Sequence, residues 1–282
     1  MGQVAYQGEP GAFSDAACRA YAPDLAPLPC ATFDAVFKAV QQGLAARAMV
    51  PVENAIAGRV DDVYRLLPDM GMVVTAEHFL PIHMQLLALP DADPDGLKVV
   101  RSHPMALSQC RSVIARRSLL AEVAPDTAGA ARRLAEQPDP AVCVIAPAAA
   151  ADAYGLKVIE PEVQDADRNV TRFLTLAPEG AVEWPDLLSG PIMTSLVFRV
   201  RNIPAALYKA LGGFATNGVN MVKLESYQLD ATFLATRFQA EVEGHPDDPP
   251  LRRALEELGY FSEEVTLLGV FPRDPYRPAA AT

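Results

Sequence analysis

A hydroxyl and a guanidinium stand side by side at the start of one predicted strand, in the segment DRNVTRFLTL at residues 167–176. The later part of this segment is apolar, as is typical of a half-buried strand, whereas Asn169, Thr171 and Arg172 are polar. A threonine hydroxyl donates a hydrogen bond, and an arginine guanidinium binds a carboxylate through two parallel N–H groups. Two interpretations are open: ordinary polar edging of a strand, or a donor beside an anion clamp.

Three further polar clusters each follow a predicted strand. They are Gly8 to Ser14 within GEPGAFS, the pair Glu53 and Asn54, and the pair Ser102 and His103. Glycines allow backbone N–H groups to approach a ligand closely. The N–H groups ahead of Pro104 begin a helix, which favours a bound anion. These residue types suit the binding of carboxylates and donation to a departing oxygen.

Strand and helix signals alternate along the chain that positions these clusters. One example is the helix FDAVFKAVQQGL, with Thr32 as its N-cap, followed by the strand RAMVPVEN. Asp126 or Thr127 is expected to begin the helix AGAARRLAE, and Gly155 to end the Ala-rich helix that follows AVCVIA. Such repeats predict largely parallel sheets with helices on both faces. The β-rich run at residues 72–89 is too long for one strand and predicts a crossover between two lobes near 72–95, with a return after about 155. Ligands of open α/β sheets bind at strand carboxyl ends, so we expect a site between the lobes.

The composition excludes several classes of function. The length of 282 residues, half of them hydrophobic, predicts a soluble protein of about two domains. A net charge of −11 argues against nucleic-acid and anionic-membrane partners. The segment MGQVAYQGEP lacks a basic region followed by an apolar run, and no apolar stretch approaches the length of a membrane span, so we expect neither a signal peptide nor a membrane span. Scattered cysteines, without histidines at ligand spacing, predict reduced thiols, no metal and no cofactor in a cytoplasmic protein.

A smaller second domain is expected after a linker. Residues 179–193 are rich in Pro and Gly and lack periodicity, which predicts the linker. Residues 194–272 give the order strand, helix, strand, strand, helix, strand, which is that of a ferredoxin-like βαββαβ unit. The remaining residues, 273–282, form a C-terminal tail. The sequence therefore predicts a two-lobed α/β domain over 1–178, followed by a ferredoxin-like domain.

Five segments of the first domain occur in the order in which prephenate dehydratases carry them. They are VAYQGEPGAFSDAA, VPVENAIAGRV, LPIHMQLL, SHPMALSQC and NVTRF. In the second domain, IPAALYKAL and NGVNMVKLES are similar to the ACT regulatory domain that follows in that family. The chain thus resembles a prephenate dehydratase, with a two-lobed body like that of periplasmic binding proteins followed by an ACT domain.

The resemblance implies a reaction and a set of residues. The family's enzyme converts prephenate to phenylpyruvate with loss of carbon dioxide and water, on the route to phenylalanine. Thr171 matches the threonine needed for activity, and the other catalytic positions expected are Asn54, Glu53, Ser102 and Gln109. The expected substrate-binding positions are Arg172, Ser14, His103 and Asn169.

Simpler roles remain open for several of these side chains. Thr171 also fits an ordinary β-forming residue. Ser102 also fits a helix N-cap, and His103 a structural residue at the same helix start. Glu53 also fits a salt bridge to Arg59.

By the same resemblance, phenylalanine is an effector bound between two copies of the second domain, in a homodimer or homotetramer. The expected contacts are Ala206, Leu207, Asn217, Gly218, Val219, Asn220, Glu225 and Ser226. Many relatives have Arg-Pro where this chain has Tyr227 and Gln228, and Gly where it has Ala205. These departures predict inhibition that is present but weak.

Two rival functions remain. Arogenate dehydratase performs the same elimination on the amino-acid form of the substrate. A non-catalytic small-anion sensor is the other rival, because two-lobed α/β bodies also serve as solute-binding proteins; the second domain weighs against it.

Overall fold

The computed structural model describes residues 2–187, 190–228 and 236–278. The chain divides into two compact units. The first comprises Met1–Asp61 and Phe79–Phe173, and the second comprises Asp62–His78 and Leu174–Thr282. Within the described ranges, no helix is long and apolar enough to cross a membrane.

The strands and helices alternate through most of the chain. The strands are β1 (Gln3–Gln7), β2 (Ala26–Cys30), β3 (Arg47–Asn54), β4 (Gly58–Arg59), β5 (Met72–Pro81), β6 (Gln85–Ala88), β7 (Val99–Ser102), β8 (Leu120–Val123), β9 (Val142–Ala146), β10 (Lys157–Glu160), β11 (Val170–Pro178), β12 (Ile192–Val200), β13 (Met221–Gln228), β14 (Thr236–Glu243) and β15 (Ser262–Pro272). The α-helices are α1 (Phe13–Tyr21), α2 (Phe33–Gln41), α3 (Asp61–Leu66), α4 (Pro104–Ser108), α5 (Arg111–Arg116), α6 (Thr127–Glu136), α7 (Ala148–Tyr154), α8 (Ala206–Thr216) and α9 (Pro249–Phe261). A short 3-10 helix, Leu67–Asp69, follows α3.

The helix ends that the sequence predicts are present. The Thr32 side chain accepts a hydrogen bond from the Ala35 N–H and caps α2. Asp126 caps α6 by accepting from the Gly129 N–H. Gly155 ends α7 in the left-handed conformation, at φ 65°, which glycine adopts without steric cost. These predictions of helix ends are confirmed.

The first sheet has the strand order β2-β1-β3-β11-β5, with β4 paired to β3. β1 is parallel to both of its neighbours. The predicted break of the long β-rich run is confirmed, because β5 belongs to this sheet and β6 belongs to the next. We call the first-unit part of this sheet, with α1 and α2, the first lobe.

The second sheet has the order β10-β6-β9-β7-β8 and forms the second lobe with α4 to α7. β7 is parallel to β8 and β9, whereas β6 is antiparallel to β9 and β10. The prediction of a largely parallel sheet is confirmed for β7, β8, β9 and β10, which run in one direction, and is wrong for β6 alone. β6 enters this sheet directly from β5 of the other sheet, with no helix between them.

The second unit contains a four-stranded antiparallel sheet in the order β13-β14-β12-β15. Apolar residues of β12 and β14, including Leu196, Phe198 and Ala240, form a buried cluster with Phe214 of α8 and Leu258 of α9. Both helices therefore cover one face of the sheet. The predicted βαββαβ order and the mixed α/β class are confirmed.

Parts of three predicted segments lie outside the described residues. They are positions 188–189 of the linker, 232–235 at the start of the strand TFLATRFQAEVE, and 279–282 of the C-terminal tail.

Candidate active site

A cavity of about 410 Å³ lies between the two lobes of the first unit. Six of the residues predicted to act in catalysis or substrate binding line it: Ser14, Asn54, His103, Gln109, Asn169 and Thr171. Much of the remaining lining is apolar. A concave, mostly apolar cavity with a few polar groups is the usual form of a small-molecule site.

The strand ends explain why these side chains meet. β1 ends at Gln7 and β3 ends at Asn54, so both present their carboxyl ends to the cleft. β11 instead begins at the cleft. The backbone N–H of Ala55 donates to the carbonyl oxygen of Val170 at 2.9 Å, which holds the start of β11 beside the end of β3.

Asn54 is hydrogen-bonded to Thr171. Its Nδ2 donates to Thr171 Oγ1 at 2.9 Å and to Asn169 Oδ1 at 2.7 Å. A longer contact of 3.3 Å joins the same nitrogen to the Val170 carbonyl oxygen. Asn169 and Thr171 are both buried. The segment NVTRF is therefore fixed to the end of β3 through one side-chain amide.

Gln109 extends this network into the second lobe. Its Oε1 accepts a hydrogen bond from Asn169 Nδ2 at 3.0 Å. Gln109 follows α4 and is buried. Its backbone carbonyl accepts from the Asp165 N–H at 2.7 Å, which ties the returning chain to the same point. Gln109 thus carries the polar network from one lobe to the other.

The start of α4 differs from the expectation. His103, not Ser102, is the N-cap: its Nδ1 accepts from the Met105 N–H at 3.2 Å. Ser102 is fully buried, and its hydroxyl donates to the Ile145 carbonyl at 2.6 Å within the sheet. The N-cap interpretation of Ser102 is wrong because the strand β7 extends through it. Its predicted catalytic role stays a prediction, and Ser102 is not among the residues that line the cavity.

Arg172 and Glu53 are not among the cavity-lining residues either. Thr171 and Phe173 both line it, and because side chains alternate along a strand, Arg172 is directed to the other face of β11. Arg172 is only 4% exposed. Glu53 is opposite Arg59 in the pairing of β3 with β4, and Arg59 makes an ion pair with Asp61. The clamp role of Arg172 and the catalytic role of Glu53 stay predictions.

Several residues that line the cavity were not predicted from the sequence. Ile82 and Met84 lie in the crossover from β5 to β6, and Asp126 follows β8 at the start of α6. Two signals were available for them. A crossover between lobes necessarily passes the cleft, and the carboxyl-end rule applies to β8 as it does to β1 and β3.

The lining offers hydrogen-bond donors rather than cationic side chains. No Lys or Arg is among the described residues that line the cavity. The described part of the chain also contains no cluster of three or more His, Cys, Asp or Glu that could hold a metal ion. Behind the lining, burial raises the pKa of the Cys110 thiol to about 12, with Asp165 contributing. That thiol is therefore neutral at physiological pH and is not an activated nucleophile.

Six of the eight predicted effector residues fall at the two ends of one helix, and Glu225 and Ser226 lie in β13. Ala206 begins α8, and Gly218 follows its end with φ 68°. The helix has 11 residues, so its ends are about 16 Å apart. The Asn217 side chain, at its C-cap, bonds to Gly213 and Arg253 within the unit. A single small ligand cannot contact both ends of α8 in one chain.

Comparison with known proteins identifies the family. The family model for prephenate dehydratase matches residues 4–181. A bifunctional N-acyl-homoserine lactone acylase/prephenate dehydratase of Komagataeibacter europaeus is 46% identical over 97% of both chains. Arogenate dehydratase 2 of Petunia hybrida is 36% identical over 96% of this chain and 72% of its own length.

A solved structure agrees over the same length. The prephenate dehydratase of Arthrobacter aurescens, in complex with L-Phe, has a TM-score of 0.89 at 27% identity, covering 99% of this chain and 93% of its own. The match of the family model to more than half of the chain, together with this shared fold, shows that the chain belongs to the prephenate dehydratase family.

Proposed function

We propose that this protein catalyses the decarboxylating dehydration of prephenate to phenylpyruvate. The observation that carries the proposal is the position of Thr171, which lines a mostly apolar cleft while its hydroxyl oxygen accepts a hydrogen bond from Asn54. Membership of the family supports the same reaction class.

The reaction sets three demands on the site. The ring carboxylate leaves as carbon dioxide, and the electron pair of the broken carbon–carbon bond moves into the ring. The ring hydroxyl leaves with the electrons of its carbon–oxygen bond and takes up one proton to become water. The protein must therefore bind a dianion, stabilise the departing oxygen and exclude bulk water.

Thr171 meets the demand for stabilisation of the departing oxygen. Because Asn54 donates to Thr171 Oγ1, the hydroxyl proton is directed away from Asn54 and is available to the substrate. A threonine hydroxyl is a very weak acid, so it donates a hydrogen bond to the leaving oxygen without giving up its proton.

His103 supplies a second donor in the same cleft. Since its Nδ1 accepts from the Met105 N–H, the neutral ring carries its proton on Nε2. His103 lines the cavity and is exposed. We assign it a hydrogen bond from Nε2 to the leaving oxygen, which departs as hydroxide and takes up its proton from solvent.

Backbone groups are the best candidates to bind the carboxylates. α1 begins at the cleft with Ala12 as its N-cap, and alanine has no side chain with which to cap the first N–H groups. These groups, with the Ser14 hydroxyl, form an anion site at the positive end of the helix dipole. Phe13 and Phe173 also line the cleft and restrict water around the ring.

Arogenate is the alternative substrate. It differs from prephenate by an amine in place of a side-chain carbonyl, and the plant relatives that this chain matches include arogenate dehydratases. Asp126 lines the cavity and could bind such an amine, although one of its oxygens already accepts from the Gly129 N–H.

Removal of the acyl group from an N-acyl-homoserine lactone is a second candidate activity, because the relative that is 46% identical is named for it. Such an acyl transfer needs a nucleophile activated by a base. Among the described residues, the side chain bonded to Thr171 Oγ1 is the Asn54 amide, which donates to it and cannot act as a base. This geometry favours the dehydratase over an acylase that would use Thr171.

Phenylalanine is the proposed effector of the second unit. The ferredoxin-like order and the complex of the related Arthrobacter protein with L-Phe support this assignment. Because the two groups of predicted contacts lie at opposite ends of α8, we propose that a second copy of the chain supplies one of them. A homodimer or homotetramer then brings the two ends together.

Separate turnover assays test the proposal. The purified protein is incubated with prephenate, with arogenate and with an N-acyl-homoserine lactone, and phenylpyruvate, phenylalanine and free homoserine lactone are quantified. The proposal expects kcat/KM to be highest for prephenate. A higher kcat/KM for arogenate would make arogenate the substrate in place of prephenate. Turnover of the lactone alone would contradict the proposed dehydratase activity.

A further inference from the structure

The orientation of the Asn54 amide is fixed by the backbone. Its Oδ1 accepts hydrogen bonds from the N–H groups of Ile56 at 3.0 Å and Ala57 at 2.8 Å. If the amide were reversed, its NH₂ group would face two donors. The network therefore leaves one orientation, in which Nδ2 points towards β11.

Each amide then fixes the direction of the next. Nδ2 of Asn54 donates to Asn169 Oδ1 at 2.7 Å, so the carbonyl end of Asn169 faces Asn54. The NH₂ end of Asn169 consequently faces Gln109 and donates to its Oε1 at 3.0 Å. Gln109 is left with its Nε2 as the remaining polar atom, and Gln109 lines the cleft.

We call the hydrogen-bonded series Thr171, Asn54, Asn169 and Gln109 the relay. The residue at each of its two ends can donate a hydrogen bond into the cleft. At one end Thr171 accepts from Asn54 at 2.9 Å, so its hydroxyl proton is free for a ligand. At the other end Gln109 presents an NH₂ group. A buried network of this kind is highly directional, because reversing one member removes a partner from the next.

We infer that Asn54 and Asn169 are positioning residues that set the direction of hydrogen bonding in the cleft. Asn54 makes Thr171 a donor to the departing oxygen, and Asn169 makes Gln109 a donor to a carboxylate or carbonyl oxygen of the substrate. This inference rests on the proposed function. The backbone N–H groups of Ile56 and Ala57 are the fixed point from which the direction is set.

Asn54→Asp reverses the relay with little change of shape. The new carboxylate still accepts from Ile56 and Ala57, but it presents an oxygen to Thr171 and Asn169. The Thr171 hydroxyl then donates to this carboxylate and is withdrawn from the substrate. We expect kcat to fall by roughly 100-fold, the usual effect of losing one donor to a developing oxyanion.

Asn169→Asp is the matched control, since it adds the same charge to the same network. The carboxylate introduced at position 169 still accepts from Asn54, so Thr171 remains a donor to the substrate. Gln109 must turn its NH₂ group towards that carboxylate and loses its donor function in the cleft. This variant is therefore expected to raise KM more than it lowers kcat. Comparison of the two variants separates the effect of reversing the hydrogen bond to Thr171 from the effect of adding a negative charge to the network.

A double-mutant cycle with Thr171→Val decides the point. If Asn54 acts through Thr171, Asn54→Asp lowers kcat far less in the Thr171→Val background than in the wild type. In a Thr171→Ser background, which retains a hydroxyl, the full loss should return. Equal fold-losses in the wild-type and Thr171→Val backgrounds would overturn the inference, as would an Asn54→Asp variant with unchanged kcat.

A spectroscopic readout separates this inference from the proposed function. The Asn54 NH₂ protons should exchange slowly with solvent in ¹⁵N-labelled protein, and their signals should shift on Thr171→Val. If the wild type turned over none of the substrates, the proposed function would fail while these signals still tested the relay. Rapid exchange and unshifted signals would overturn the relay itself.

Discussion

The amide nitrogen of Asn54 lies 2.9 Å from the hydroxyl oxygen of Thr171, although the two residues are 117 positions apart in the chain. The contact exists because β11 returns from the second lobe and begins beside the end of β3. The chemistry of the first unit therefore depends on a pairing between its earliest and latest segments.

Gly11→Ala should disturb the cleft as well as the stability. Gly11 has φ +81°, and a Cβ there would lie 2.8 Å from the Ala150 Cα in α7. The loop must move, and Gly8 and Ala12 of the same loop line the cleft. We expect KM to rise several-fold and the free energy of unfolding to fall by more than the ~1–2 kcal/mol of left-handed strain alone.

Gly43→Ala is the control for Gly11→Ala. Gly43 has φ +72° with no atom within 4 Å of the added Cβ, so it carries the backbone strain without the clash. Urea midpoints and KM for prephenate are compared. Equal effects of the two substitutions on the urea midpoint and on KM would show that the close approach of Gly11 to α7 affects neither stability nor substrate binding.

Ala205→Gly should stabilise the second unit. Ala205, the residue before α8, has φ 60° and ψ 21°, a left-handed conformation that costs a non-glycine residue ~1 kcal/mol. We expect a higher urea midpoint for this variant. Ala215→Gly, within α8, should instead destabilise by about 1 kcal/mol. Destabilisation by Ala205→Gly would contradict the strain at this position.

Three buried thiols should make stability fall in alkaline solution. Burial raises the pKa of Cys18, Cys110 and Cys143 to about 12, whereas an unfolded thiol ionises near ~8.5. The part of the free energy of unfolding that comes from these protonated thiols is fully present below pH ~8.5. It is lost as the pH rises from there towards the pKa of the folded protein, by about 1.4 kcal/mol per thiol and per pH unit.

Urea unfolding at pH 7.5 and pH 9.5 measures this loss. Cys143→Ala should reduce the difference between the two pH values by about 1.4 kcal/mol, whatever its effect on stability at pH 7.5. An unchanged difference would mean that Cys143 does not contribute to the alkaline loss.

Phenylalanine should bind the whole chain and inhibit it weakly. Calorimetric titration with phenylalanine and inhibition of prephenate turnover are measured on the same preparation, with light scattering for the oligomeric state. Since the predicted contacts lie at both ends of α8, binding should require a dimer or larger assembly. Absence of both heat and inhibition at millimolar phenylalanine would leave the second unit as an assembly module.

Local sequence signals were sufficient for much of the fold. Thr32, Asp126 and Gly155 mark helix ends because capping depends on residues close in sequence. The cluster at Asn54 was placed at the cleft because the carboxyl-end rule depends on element order alone, whereas Asn169 lies at the start of β11, where that rule does not apply. The order of the second unit followed in the same way.

The remaining features depend on contacts that are distant in sequence. The direction of β6 depends on its pairing with β9 and β10, and the burial of Ser102 depends on the neighbouring strand that contains Ile145. A strand pattern separates Thr171 from Arg172 by face but does not tell which face meets the cleft. Only the position of the second lobe makes that choice.

The turnover of Thr171→Val tests the central claim most directly, because valine matches threonine in shape and removes only the hydroxyl. We expect a folded protein whose kcat for prephenate is lowered by on the order of 100-fold or more, while Thr171→Ser retains a substantial part of the wild-type rate. A Thr171→Val variant that forms phenylpyruvate at close to the wild-type kcat would contradict the account.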